Sequence, residues 1–140
     1  MSDPFNATDF ALLILRVGTG VIFIPHGYPK MTGGGGDKKG GYAHLTQSLA
    51  QMGLPFPSAF ATLVGVVEFF GGAMLVLGLQ THLAALALVL VMLVATGRVL
   101  VQRGFVGEAD FPFSLLVATL ALALLGGGTV SLDQIVLAVR

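Results

Sequence analysis

Residues 54–79 read LPFPSAFATLVGVVEFFGGAMLVLGL, an apolar stretch long enough to cross a bilayer, with one acid, Glu68, at its middle. At a rise of ~1.5 Å per residue, Glu68 lies roughly 16 Å from Pro57 and roughly 16 Å from Leu79, near the midplane of a hydrocarbon layer ~30 Å thick. A carboxylate at that depth is costly unless it is paired or neutralised. On a helix it shares a face with Val64, Gly65, Gly71 and Gly72, and the glycines leave a notch where a neighbouring helix or a ligand comes close. The rest of the chain is therefore expected to supply a partner for Glu68.

Composition places that span in its setting. Of 140 residues, 55% are hydrophobic and 10% charged, far from the average soluble domain. The reading is an all-α integral membrane four-helix bundle with a short amphipathic loop helix and a short C-terminal interfacial tail. It forms a single transmembrane domain over residues 1–140, with spans at about residues 9–25, 57–79, 82–100 and 111–126. The formal charge is zero and the cations are scattered, so no nucleic-acid footprint exists; membrane lipid is the expected surrounding. There is no cysteine, which excludes disulfide exchange, thiolate nucleophiles and iron–sulfur ligation by this chain. The opening MSDPFNATDF lacks a cationic leader, and no small-residue cleavage signature follows, so the first apolar segment is expected to stay as a span.

Span one has Thr8 or Asp9 as its expected N-cap. It carries Arg16 ten residues before His26, about 15 Å below the interface that His26 is expected to occupy. Arg16 is thus expected at the depth of Glu68, either as a structural ion pair fixing the register of spans one and two or as a pair lining a polar cavity. In Pro25-His26-Gly27-Tyr28-Pro29-Lys30, two prolines and a glycine are expected to break or bend the helix. His26 and Lys30 would then project at the headgroups. Each alone reads as an interfacial donor or a snorkelling cation; together on one turn they read as a site.

The polar loop TGGGGDKKGG over residues 32–41 is no phosphate-binding P-loop, and Gly18-Thr19-Gly20 is no dinucleotide fingerprint. Tyr42, Leu45, Leu49 and Met52 recur at helical spacing, which predicts the amphipathic loop helix. The short turn at Gly78 to His82 makes spans two and three antiparallel neighbours. It puts His82 at the face opposite His26, so one haem iron cannot take both. Arg98 returns to the His26 face, as a positive-inside anchor or as an anion or carbonyl contact. Pro112 fits the first turn of span four, and Ser131-Leu132-Asp133 reads as the cap of a tail too short to cross. Lys30, Lys38, Lys39, Arg98 and Arg103 outweigh Arg140 on the other side, which predicts loops one and three inside and both termini outside.

Several landmarks, in this order, resemble the DoxX family of small four-span membrane proteins. They are Leu15-Arg16, Phe23, His26-Gly27 and Lys30; Leu54-Pro55, Glu68, Gly71-Gly72, Leu75 and Leu77-Gly78; then Met92, Ala95, Gly128 and Ser131-Leu132-Asp133. The resemblance implies a bacterial or archaeal inner-membrane bundle that partners redox chemistry linked to quinones, sulfur or oxidative stress, at most a non-catalytic or quinone-binding subunit of an oxidoreductase complex. A quinone needs an apolar slot and donors for its carbonyls. Arg16, His26, Lys30, Glu68 and Arg98 are the expected ligand-binding residues, with Gly65, Gly71 and Gly72 lining the notch; no catalytic residue, metal ligand or covalent cofactor is assigned. Two other readings stand beside it. One is a small-solute transporter or lipid-binding protein, which requires a homo-oligomer. The other is an assembly module that docks a soluble partner through the loop helix and tail.

Overall fold

The computed structural model describes residues 6–34 and 41–139, which form helices and no strand. In chain order these are α1 (Ala7–Thr32), α2 (Tyr42–Gln51), α3 (Pro57–Leu77), α4 (Thr81–Arg103), α5 (Asp110–Leu125) and α6 (Leu132–Ala138). α1, α3, α4 and the segment Phe105–Leu125 are each long and apolar enough to cross a membrane. The expected all-α membrane bundle, its loop helix α2 and its short tail α6 are all present. The expectations placed on Gly35 and Gly36, on Lys38 and Lys39 and on Arg140 lie outside the described residues.

Two boundaries differ from expectation. The N-cap of α1 is Asn6, whose side chain accepts the Asp9 N–H at 3.0 Å, rather than Thr8 or Asp9. The helix also does not stop at Pro25. It runs through Pro25 and Pro29 to Thr32 and closes on Gly33 in the left-handed region. Each proline deletes one backbone hydrogen bond, but hydrocarbon offers the remaining backbone groups no competing water, so they stay paired within the helix.

Gly27, between the two prolines, lets α3 press against that stretch: a Cβ there would lie 2.7 Å from the Gly65 carbonyl oxygen. Further along the same seam, a Cβ on Gly72 would lie 2.8 Å from the Gly20 carbonyl oxygen. Small residues thus bring two antiparallel backbones together, and α1 against α3 is the most extensive helix contact. α4 and α5 form the second extensive pair, and α3 joins the two. Gly71 receives Leu88 of α4, its notional Cβ 3.1 Å from the leucine Cγ.

The notch expected beside Glu68 is therefore filled. Gly65 and Gly72 are occupied by α1 and Gly71 by α4, so none of the three lines an open ligand site. Phe23, Leu75, Leu88 and Leu122 fill the interior, while Leu83, Leu86, Leu90 and Leu93 face outward from α4. So much exposed apolar surface is a liability in water; in a bilayer it is the contact with lipid.

Candidate functional site

α3 and α4 meet at the tight turn after Leu77 and diverge toward their other ends. There α2, the last turn of α1 and the start of α5 close around a cavity of about 620 Å³. Phe60 and Val64 of α3 and Leu90, Val91 and Val94 of α4 form its apolar wall. Phe60, Leu90 and Val94 are themselves exposed, so the α3 and α4 wall of the cavity lies at the lipid-facing surface. Its polar end carries His26 and Lys30 from α1, His44 from α2, and Arg98, Gln102 and Arg103 from α4, with Glu108 beside them.

The groups at that end differ in how they are held. Lys30 Nζ donates to Glu68 Oε2 at 2.5 Å, with both side chains buried. Glu68 itself stands behind the lysine and does not line the cavity. His26 Nδ1 lies 2.8 Å from the Ile22 carbonyl oxygen. A carbonyl only accepts, so Nδ1 carries the proton in that bond, and Nε2 is the ring nitrogen left for a ligand. The ring sits 6.0 Å from that of Phe111. Arg103 and Glu108 are 3.4 Å apart at the rim. Arg98 Nε is buried without a hydrogen-bond partner.

Arg16 is elsewhere. Its Nη1 donates to the carbonyls of Leu75 at 3.2 Å and Val76 at 3.0 Å, and its Nη2 to the carbonyl of Val130. The expected Arg16–Glu68 pair does not form. The depth ruler began at His26 as the end of span one, whereas α1 continues to Thr32 and sets Gly27, not Arg16, level with Glu68. Arg16 instead satisfies carbonyls of the last turn of α3, which have no partner within the helix, and places a cation at the negative end of its dipole.

That opposite end is fastened further by Asp133. Its Oδ1 accepts the Gln80 N–H at 2.6 Å, and its Oδ2 accepts the Thr81 N–H and hydroxyl, both at 2.9 Å. Ser131 is the N-cap of α6 as expected, but Asp133 caps α4. Burial pushes its carboxyl up; the hydrogen bonds from Thr81 and Gln80, with His82 nearby, outweigh that and hold it below the usual carboxylate range. His82 Nδ1 lies 2.8 Å from the Ala123 carbonyl oxygen, on the face opposite His26 as expected. A second, smaller cavity of about 480 Å³ lies here among Asp9, His82 and Asp133.

Of the five residues expected to bind a ligand, the fold thus brings His26, Lys30 and Arg98 to one cavity. It keeps Glu68 one contact behind and sends Arg16 to the far end. His44 and Gln102 join the site without having been singled out. Gln102 follows Arg98 by one helical turn, the spacing that would have put it on the same face; His44 had no such signal. No group of three or more His, Cys, Asp or Glu able to hold a metal occurs among the described residues.

The DoxX family model matches residues 11–103. A Bacillus subtilis protein named "Putative oxidoreductase CatD" is 32% identical over 128 residues, covering 91% of this chain and 88% of the relative. The Escherichia coli "Inner membrane protein YphA" is 31% identical over 139 residues, covering 91% of each. No solved structure matches.

Proposed function

The chain belongs to the DoxX family, and on that footing we propose that it is a multi-pass inner-membrane component of a redox system whose cavity receives a lipophilic quinone. The observation that carries this reading is the cavity itself, an apolar slot of about 620 Å³ whose α3 and α4 wall lies at the lipid-facing surface and which ends in His26, Lys30 and Arg98. Apolar walls with a few convergent polar groups are the usual form of a small-molecule site. The name of the Bacillus subtilis relative agrees with a redox role.

A quinone supplies two-electron, two-proton chemistry. This chain contributes the seat. The apolar wall takes the ring and the start of the tail, and hydrogen-bond donors on Lys30 and Arg98 meet ring oxygens. Glu68 keeps Lys30 in place, and the free Nε2 of His26 accepts a proton from a hydroxyl within reach. With no cysteine in the chain, the electrons come from or go to a cofactor, a substrate or a partner.

The test is equilibrium binding of a short-chain naphthoquinone to the purified protein in lipid nanodiscs. Val94, an exposed residue of the cavity wall, is replaced by tryptophan to fill the slot from its outer side. Wild type should bind the quinone saturably and Val94→Trp should not. Equal, non-saturating uptake by both, as into bare lipid, would overturn the reading.

A further inference from the structure

The three cationic side chains at the polar end of the cavity are not equivalent. Lys30 is matched by Glu68 at 2.5 Å, and Arg103 lies 3.4 Å from Glu108. Arg98 has no carboxylate within ion-pair distance and no hydrogen-bond acceptor among the described residues, and its Nε is buried. The other titratable groups around the cavity supply no anion to it. His26 Nδ1 is engaged by the Ile22 carbonyl, and His44 is neutral or cationic.

Arg98 is half-buried: its Nε is buried without a partner, a costly arrangement, while its two terminal nitrogens keep accessible surface. It sits five residues before the end of α4, about 7.5 Å along the helix, and faces an apolar slot sized for a ligand. The charge complementary to such a site is negative. The planar fork of arginine fits two neighbouring oxygens that share that charge.

We propose that this cavity selects amphiphiles whose headgroup is ionised, with Arg98 as the counter-ion. Resting on the quinone reading, this specifies the ligand class further: an acidic hydroxyquinone, with its enolate oxygen beside a ring carbonyl, binds in preference to a neutral quinone of the same skeleton. Arg98 is the specificity-determining residue, and Lys30 is not, because Glu68 already cancels its charge.

The experiment compares two probes that differ by a methyl group in place of the acidic proton: a 3-alkyl-2-hydroxy-1,4-naphthoquinone, ionised at neutral pH, and its 2-methyl ether, which cannot ionise. Affinities are measured by calorimetry on the full chain in nanodiscs of zwitterionic lipid. Wild type should bind the acid at least tenfold more tightly than the ether. Arg98→Gln should bring that ratio close to one, and Arg98→Lys should keep part of it.

Equal affinities in wild type, or a preference that survives Arg98→Gln, would overturn the proposal while leaving the quinone reading intact. Failure of both probes to bind would remove the two together. Adding phosphatidylglycerol to the disc separates two sources of the same anionic chemistry. Displacement of the acid supports a bilayer lipid as the resident anion at Arg98, and undiminished binding supports the free acid.

Discussion

Replacing Lys30 by methionine keeps the aliphatic stem and removes the charge that Glu68 faces. The side chains of the pair are 10% and 3% exposed and 2.5 Å apart, which puts them among buried pairs. Loss of one partner there strands a charge and costs about 3–5 kcal/mol, against about 0–1 kcal/mol for an exposed pair. The same molecule carries its own reference. Arg103 and Glu108, 3.4 Å apart and about 40% exposed on each side, belong to the exposed class, so Arg103→Met should cost under ~1 kcal/mol.

The double variant Lys30→Met with Glu68→Leu leaves no stranded charge and should return to within about 1–2 kcal/mol of wild type. With each single variant stranding a charge at about 3–5 kcal/mol, the coupling energy of the cycle is then roughly 4–9 kcal/mol. Reversible unfolding in mixed micelles, followed by far-ultraviolet circular dichroism, measures all four proteins. A Lys30→Met cost no larger than that of Arg103→Met, or a double variant destabilised by the sum of its singles, would show that Lys30 and Glu68 are not a coupled buried pair.

Three further outcomes follow from the same contacts. Arg16→Met removes the guanidinium from the carbonyls of Val76 and Val130 and leaves that of Leu75 with only the Gly78 N–H; it should destabilise by ~3 kcal/mol in the same unfolding assay, with quinone binding at the far cavity retained. Gly72→Ala places a Cβ 2.8 Å from the Gly20 carbonyl and should cost about 1–3 kcal/mol by forcing α1 and α3 apart; a neutral result in thermal unfolding would contradict the close seam. The Asp133 carboxyl is held below its ordinary range, so its contribution is complete above the unfolded value of about 3.9 and is lost as pH falls through the lower folded value. Asp133→Asn should therefore flatten the acid limb of the stability profile below about pH 4 and leave its slope above pH 5 unchanged.

The helices were legible because their signals are local. The apolar runs of α3 and α4, the spacing of Tyr42, Leu45 and Leu49 on α2, and Ser131 before α6 each announce an element without reference to anything distant. What failed was the end of α1. Pro25 and Pro29 stop a helix in water but not where lipid leaves the backbone no other partner, and that one boundary shifted the depth of every residue on the span. From it came the wrong partner for Glu68.

The lysine that does pair with Glu68 had been placed at the headgroups for the same reason. The glycines at 65, 71 and 72 carried a true signal of close approach, but spacing alone does not say whether a helix or a ligand fills the space. His44 reaches the cavity only because α2 folds back over the bundle, a contact between separate elements that local periodicity does not encode. Arg98 was on the correct face because it is counted from a helix whose start, Thr81, is fixed by a short turn.

On this reading a lipophilic ligand enters between α3 and α4. A photoreactive naphthoquinone, cross-linked to the protein in nanodiscs and mapped by peptide mass spectrometry, tests this most directly. Labels should concentrate on Phe60, Val64, Val91 and Val94 and be lost when an unlabelled quinone competes. Labels spread evenly over the lipid-facing leucines of α4, or gathered beside Arg16 at the opposite end, would contradict it.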